Sequence, residues 1–296
     1  MTAALTFAHL GAQLDQLRSS GPLVHCLTNT VVQNHTANTL LAAGAAPAMV
    51  DHPGEAAAFA AAASGVIINV GTVAPHQVES MPIAACAARD AAIPWVLDPV
   101  AVGFLPVRTE LATTLLTLGP TAIRGNASEI SALAGTGTGG RGVDSADSSE
   151  DALEPATALV ERTGAVVAVS GPRDLIVWRE GGEANSGTGI RSVFIAGGHP
   201  VMQQVVGTGC ALGALTAAYL GAARSAPSGS QTADSRTAGA EPAASAFAVA
   251  TAHAHAKAAG SIAARVSTAP GSFAAAWLDA LATLTPEQLA QEITLD

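Results

Sequence analysis

The sequence predicts an α/β protein: a mostly parallel central sheet covered by helices, followed by a helical C-terminal part. Three observations predict it. Short β-branched runs alternate with long Ala-rich segments. Most of those runs are continuously apolar rather than alternating, which suits strands buried on both faces. The links between segments are short, as in repeated strand–helix units.

The elements follow in chain order. A Leu-Val-His-Cys run predicts a strand over 23–26, and the segment after it a helix over 32–43. Strands at 46–50 and 66–70 flank an Ala-rich helix at 55–63. A helix at 76–92 leads to a strand at 95–98, and a helix at 108–118 to a strand at 121–124. Asn126 and Glu129 form a capping pair that starts a helix at 128–134. A helix at 149–163 precedes strands at 165–170, 175–179 and 192–196. The rest is helical: 209–222, 242–265, 271–284 and 286–292.

Two stretches interrupt the pattern. Residues 135–148 are too Gly-rich for helix or strand, and 223–240 are small and polar, reading as a flexible loop between helices. The length of 296 residues is compatible with two domains. The continuous alternation, without an internal repeat, reads as one domain over 1–296 with a polar insert near 223–240.

Composition excludes several functions. Of 13 Lys and Arg residues one is a lysine, Lys257, and the net charge is −10. Lys257 lies in a helical context, so there is no Walker A loop, whose Lys must follow a Gly-rich turn. An acidic chain with scattered Arg lacks the basic patch of a nucleic-acid binder, and membrane-surface binding is equally disfavoured. Three cysteines without a C-x-x-C spacing argue against a disulfide scaffold and for a reducing, cytoplasmic setting. The N-terminus carries no signal-peptide pattern, and the apolar windows are too short to span a bilayer.

In open α/β sheets ligands bind outside the carboxyl ends of the strands. Polar residues collect there: Thr28 and Asn29, then Asp98-Pro99, then Arg124, Gly125, Asn126 and Glu129, then Ser170 and Gly171. Gly207-Thr208-Gly209-Cys210 opens a helix. Two glycines around a Thr let backbone N–H groups converge, making an anion site without Lys. A thiol in that first turn is expected to have a lowered pKa. Taken alone, these four residues also read as a plain loop with a small core cysteine, and Asp98 before Pro as a turn residue. Asp98 and Glu129 together would suit Mg2+. His253 and His255, spaced i, i+2, read as surface or packing residues rather than zinc ligands. His25 and the three Trp residues read as packed.

Five ordered blocks then carry a family resemblance. They are 22–29 (Pro-Leu-Val-His-Cys-Leu-Thr-Asn), 38–49 (Asn-Thr-Leu-Leu-Ala-Ala-Gly-Ala-Ala-Pro-Ala-Met), 97–100 (Leu-Asp-Pro-Val), 123–129 (Ile-Arg-Gly-Asn-Ala-Ser-Glu) and 205–210 (Val-Val-Gly-Thr-Gly-Cys). With them the chain resembles the hydroxyethylthiazole kinases, thiamine-salvage enzymes of the ribokinase-like fold, over nearly its whole length. The resemblance implies ATP-dependent phosphorylation of the primary alcohol of 4-methyl-5-(2-hydroxyethyl)thiazole. It implies ATP and Mg2+ as cofactors and a homotrimer with sites at subunit boundaries. It places Gly207, Thr208, Gly209 and Cys210 at the catalytic turn, Cys210 in the base position and Gly207 against the thiazole alcohol. Arg124 and Ser170 match nucleotide contacts. Asn29 is grouped with these cofactor-binding residues, although with Met49 it also matches the N-terminal, substrate-side region. Asp98 and Glu129 match the acidic residues near Mg2+. One departure stands out: the family's Gly-Val-Gly-Ala-Thr stretch after Asp-Pro-Val is here Ala101-Val102-Gly103-Phe104-Leu105. Two other readings stay open: another small-alcohol kinase of this fold, of the hydroxymethylpyrimidine type, and a non-catalytic nucleotide-binding protein.

Overall fold

A computed structural model describes residues 5–136, 149–180, 189–224, 242–267 and 269–296. Its centre is a nine-stranded sheet of order β2-β1-β3-β4-β5-β6-β7-β8-β9. The strands are β1 (Leu23–Leu27), β2 (Ala46–Ala48), β3 (Gly65–Asn69), β4 (Trp95–Asp98), β5 (Ala122–Asn126), β6 (Val166–Ser170), β7 (Arg173–Arg179), β8 (Ile190–Ala196) and β9 (Thr294–Leu295). Strands β1 to β6 are parallel, as their apolar runs predict. The last three are antiparallel. A parallel crossover needs a dozen or more residues, and only Gly171 and Pro172 join β6 to β7.

The helices divide between the two faces. On one lie α3 (Pro53–Ala62), α4 (Pro75–Asp90), α5 (Pro106–Leu116), α6 (Ala127–Ala134) and α7 (Leu153–Thr163). On the other lie α1 (Phe7–Ser20), α2 (Gln33–Ala43), α8 (Thr208–Arg224), α9 (Pro242–Val266), α10 (Pro270–Thr283) and α11 (Pro286–Glu292). The abundant Ala and Gly let α8 lie directly on the sheet. A side chain at Gly65 of β3 would collide with the Ala217 carbonyl of α8. Trp95 and Trp277 are fully buried and Trp178 nearly so, as expected of core residues.

Several expectations need correction. Helix α1 lies where no element is expected, and so does β9. Helix α8 continues through Arg224, so the expected loop does not begin at 223; residues 225–240 of that insert lie outside the described residues. In the Gly-rich stretch, Gly135 caps α6 in the left-handed region, and 137–148 lie outside the described residues. Of the two readings of His253 and His255, packing is the one found: both are completely buried on α9. His253 Nδ1 is 2.7 Å from Asp174 Oδ2, while His255 lies between Tyr219 Oη (2.9 Å) and the Leu281 carbonyl (3.0 Å).

The strand order reverses direction at β1/β3: β2 lies on one side of β1 and every later strand on the other. Such a switch point opens a crevice at the carboxyl ends of the two strands.

Candidate active site

Asn29 follows β1 and Asn69 ends β3, so the two line that crevice. Asn29 Nδ2 donates to Asn69 Oδ1 at 3.0 Å. Asn69 Nδ2 donates to Asp98 Oδ2, at the end of β4, at 2.6 Å. Arg124 of β5 places Nη1 3.6 Å from Asp98 Oδ1. Its Nη2 donates to Ser170 Oγ, at the end of β6, at 2.6 Å. One polar line thus crosses five adjacent parallel strands at their carboxyl ends.

The start of α8 meets this line. Asn29 Nδ2 lies 3.2 Å from Cys210 Sγ. A Cβ on Gly209 would lie 3.3 Å from both Arg124 terminal nitrogens, so the guanidinium lies against the turn. Gly207 has φ +95°, and a Cβ there would press on Val32 and His35 at 2.9–3.0 Å. Only Gly fits that backbone and that space. The Thr208 hydroxyl donates back to the Met202 (3.1 Å) and Val205 (3.3 Å) carbonyls, fixing the turn. The first-turn N–H groups of Thr208, Gly209 and Cys210 have no intrahelical acceptor, which leaves an electropositive helix end.

Burial shapes the acid–base character. Asp98 is fully buried, and desolvation pushes its carboxyl up to about 7 despite the Arg124 charge, with Glu129 adding to the rise. Glu129 is also raised by burial. Both its oxygens accept backbone N–H groups, from Ala101 (3.0 Å) and Asn126 (2.9 Å). The expected lowering of Cys210 is not found: burial first, then the Asp98 charge, pushes its thiol up to about 11. The helix end is outweighed because the sulfur is removed from water beside a carboxylate.

The donor set fits a hydrated divalent cation. Asp98 Oδ1 is buried without a hydrogen bond. Asp98 and Glu129 are neighbouring carboxylates that burial raises despite the Arg124 charge, and a cation beside them would favour their charged forms. Among the described residues no three His, Cys, Asp or Glu side chains are arranged to hold a metal alone. Mg2+ typically uses one or two carboxylates, waters and substrate phosphates instead.

Met49 stands apart from the polar line. It follows edge strand β2, one strand beyond Asn29 on the same sheet edge, and is half-buried against the helical core. Asn69 belongs to the line, yet the sequence reading passes over it. Its signal is one amide ending the apolar run Val66-Ile67-Ile68. The departure after Asp98 leaves the loop's backbone working: Ala101 takes the left-handed conformation (φ +59°) that a glycine would adopt freely.

Sheet order, helix placement and this strand-end site together define a class, the ribokinase-like kinases. A ribokinase-like superfamily protein from Enterococcus faecalis superposes with TM-score 0.54 at 11% identity, covering 95% of this chain and 96% of its own. A Staphylococcus aureus pyridoxal kinase, in complex with AMP-PCP and pyridoxal, gives 0.52 at 14%, with 81% and 87% covered. At such identities the likeness shows the fold. A hydroxyethylthiazole kinase protein from Pyrococcus horikoshii OT3 reaches 0.80 at 28% identity, with 98% of each chain covered.

The model of the hydroxyethylthiazole kinase family matches residues 14–287. A hydroxyethylthiazole kinase of Corynebacterium glutamicum (strain R) is 54% identical over 268 residues, 90% of this chain and 91% of its own. One from Leptospira interrogans serovar Lai is 47% identical over 275 residues, 93% of each. The chain belongs to the hydroxyethylthiazole kinase family.

Proposed function

We propose that the chain transfers the γ-phosphoryl group of ATP to the primary hydroxyl of 4-methyl-5-(2-hydroxyethyl)thiazole, in thiamine biosynthesis or salvage. The carrying observation is the convergence of the Asn29–Asn69–Asp98–Arg124–Ser170 line on the Gly207–Cys210 helix start. The hydroxyl oxygen bonds to the γ-phosphorus, the bond to the β,γ-bridging oxygen breaks, and ADP leaves. Such a transition state is loose, so positioning and charge stabilisation dominate.

The residues take these roles. First-turn N–H groups of Thr208, Gly209 and Cys210 hold the charge that develops on the transferring group. Arg124, anchored by Ser170, contacts the nucleotide phosphates. Asp98 and Glu129 hold Mg2+, which neutralises phosphate charge when bound. Cys210 orients the hydroxyl as a hydrogen-bond partner; a thiol raised to about 11 keeps its own proton, so the hydroxyl proton passes to an oxygen of the transferring phosphoryl group. Gly207 and Met49 contact the thiazole, and Asn29 fixes Cys210.

The whole chain acts as one domain in this reading. Homotrimeric assembly with boundary sites follows the family resemblance. The exposed Val206 beside Gly207, and Val31 beside the Val32 that packs on it, support a partner surface there. Three unpaired cysteines support a cytoplasmic setting, and no helix among the described residues is long and apolar enough to cross a membrane.

The test is ADP release by purified protein with Mg-ATP and a panel of alcohols. Turnover with the thiazole alcohol is expected. Product with hydroxymethylpyrimidine alone would assign the other kinase, and ATP binding without any product would assign a binding protein. That last reading is prompted by the altered loop, and the bond from the Ala101 N–H to Glu129, which ties the loop to the site, weakens it.

A further inference from the structure

Lys257 is buried, and it is the chain's one lysine. Helix α9 carries it to the turn between β6 and β7. Its Nζ donates to the carbonyls of Gly171 (3.0 Å) and Pro172 (3.1 Å) and lies 3.2 Å from Asp174 Oδ1. The same Oδ1 accepts the Gly171 N–H at 2.9 Å. Asp174 Oδ2 accepts from His253 Nδ1 at 2.7 Å, one turn back along α9. The two-residue turn is thus gripped by an ammonium on its carbonyls and a carboxylate on its N–H.

The residue before this turn is Ser170, whose hydroxyl fixes Arg124. Arg124 also neighbours the cluster through space, because its charge disfavours protonation of His253. A tight hairpin closed by the β6–β7 ladder does not need a buried ion pair to form. Taking such a pair out of water is costly, and apolar residues of similar volume often serve stability as well. What the pair supplies is one fixed geometry.

We propose that Lys257 is a positioning residue for the nucleotide side of the site. It pins the Gly171–Pro172 turn so that Ser170, and through it Arg124, present one orientation to the phosphates. This rests on the reading above that Arg124 and Ser170 contact the nucleotide. Lys257 itself does not touch the reacting atoms.

The test compares K257M, K257Q and K257R with wild type, each also in an S170A background. Steady-state KM for ATP, KM for the thiazole alcohol and kcat are measured, together with Kd for a non-hydrolysable ATP analogue. K257M should raise KM and Kd for the nucleotide about tenfold, with kcat and the thiazole KM within about twofold. K257R should recover most of the loss. With S170A present, K257M should add less than about twofold, because the two act on one path. Equal losses in kcat and both KM values, or full additivity with S170A, overturns the proposal. If K257M does not fold, K257Q against K257R makes the same comparison, and equal nucleotide KM or Kd in those two overturns it. Wild type without thiazole turnover counts against the proposed function, and the analogue Kd values then decide the role of Lys257. Wild type that turns over and is matched by K257M overturns the positioning role alone.

Discussion

Asn69 holds Asp98: its Nδ2 donates to Asp98 Oδ2 across 2.6 Å, while its Oδ1 accepts from Asn29. The amide therefore couples the ends of β1 and β4 from between them. A buried carboxylate whose donor is removed keeps its full desolvation cost. On the proposed role of Asp98 in holding Mg2+, Asn69→Ala should lower kcat about 10–100-fold, the usual cost of losing an outer partner of a metal-holding carboxylate. Asn69→Asp should be worse, since it places a like charge against Asp98. Steady-state kinetics with Mg2+ titration checks this, and an Asn69→Ala enzyme with unchanged Mg2+ dependence and kcat would refute the coupling.

Cys210 combines a raised thiol with a position in the first turn of α8. A loose transition state demands little base strength, so a group that merely orients the hydroxyl suffices. Cys210→Asp should keep activity, because Asn29 can donate to a carboxylate as it does to the sulfur. Cys210→Ala should lose about 100-fold or more in kcat. In the wild type, alkylation of Cys210 should be slow at neutral pH and accelerate towards pH 11. Full turnover by the Ala variant would remove Cys210 from the chemistry.

Ala101 adopts φ +59° while its N–H binds Glu129. An L-residue with a Cβ is strained there, by about 1 kcal/mol, and glycine is not. Ala101→Gly should preserve the Glu129 contact and raise Tm by about 2 °C. Calorimetry on the two proteins decides the matter, and a lower Tm in the Gly variant would show that the loop is relaxed as it stands.

The central layers were legible because their signals are local. Buried parallel strands write themselves as apolar runs, and Asn126 with Glu129 spells a cap. The antiparallel end was equally available: two residues between β6 and β7 leave no room for a crossover. Helix α1 carries an apolar stripe, Leu10, Leu14 and Leu17, under a Thr6 cap, but polar neighbours dilute that signal in the sequence. Strand β9, two residues long, exists only through pairing with β8, so nothing local announces it. The site residues at strand ends could be found by rule. Asn69 could not be separated from its apolar run without knowing that β3 lies between β1 and β4. The Cys210 thiol went the other way from expectation because burial and Asp98 act through space, whereas the helix start is visible in sequence.

Acid should unfold this protein through its buried histidines. Desolvation lowers His255 to about 4, and lowers His25, His35 and His253 as well. An unfolded histidine titrates near 6.5, so between pH 6.5 and 4 the unfolded chain binds a proton that folded His255 refuses. Stability contributed by neutral His255 is therefore complete above pH 6.5 and falls as pH drops through that window, by about 3 kcal/mol in all. Asp174, held below the usual carboxylate range chiefly by Lys257 against its own burial, loses its share only at lower pH still. Thermal unfolding followed from pH 7.5 to 4.5 should show Tm dropping steeply below pH 6.5. His255→Gln keeps hydrogen-bonding groups facing Tyr219 and Leu281 but removes the titration, so its Tm should fall less over the same range. Parallel curves for the two proteins would exclude His255 as a source of the acid sensitivity.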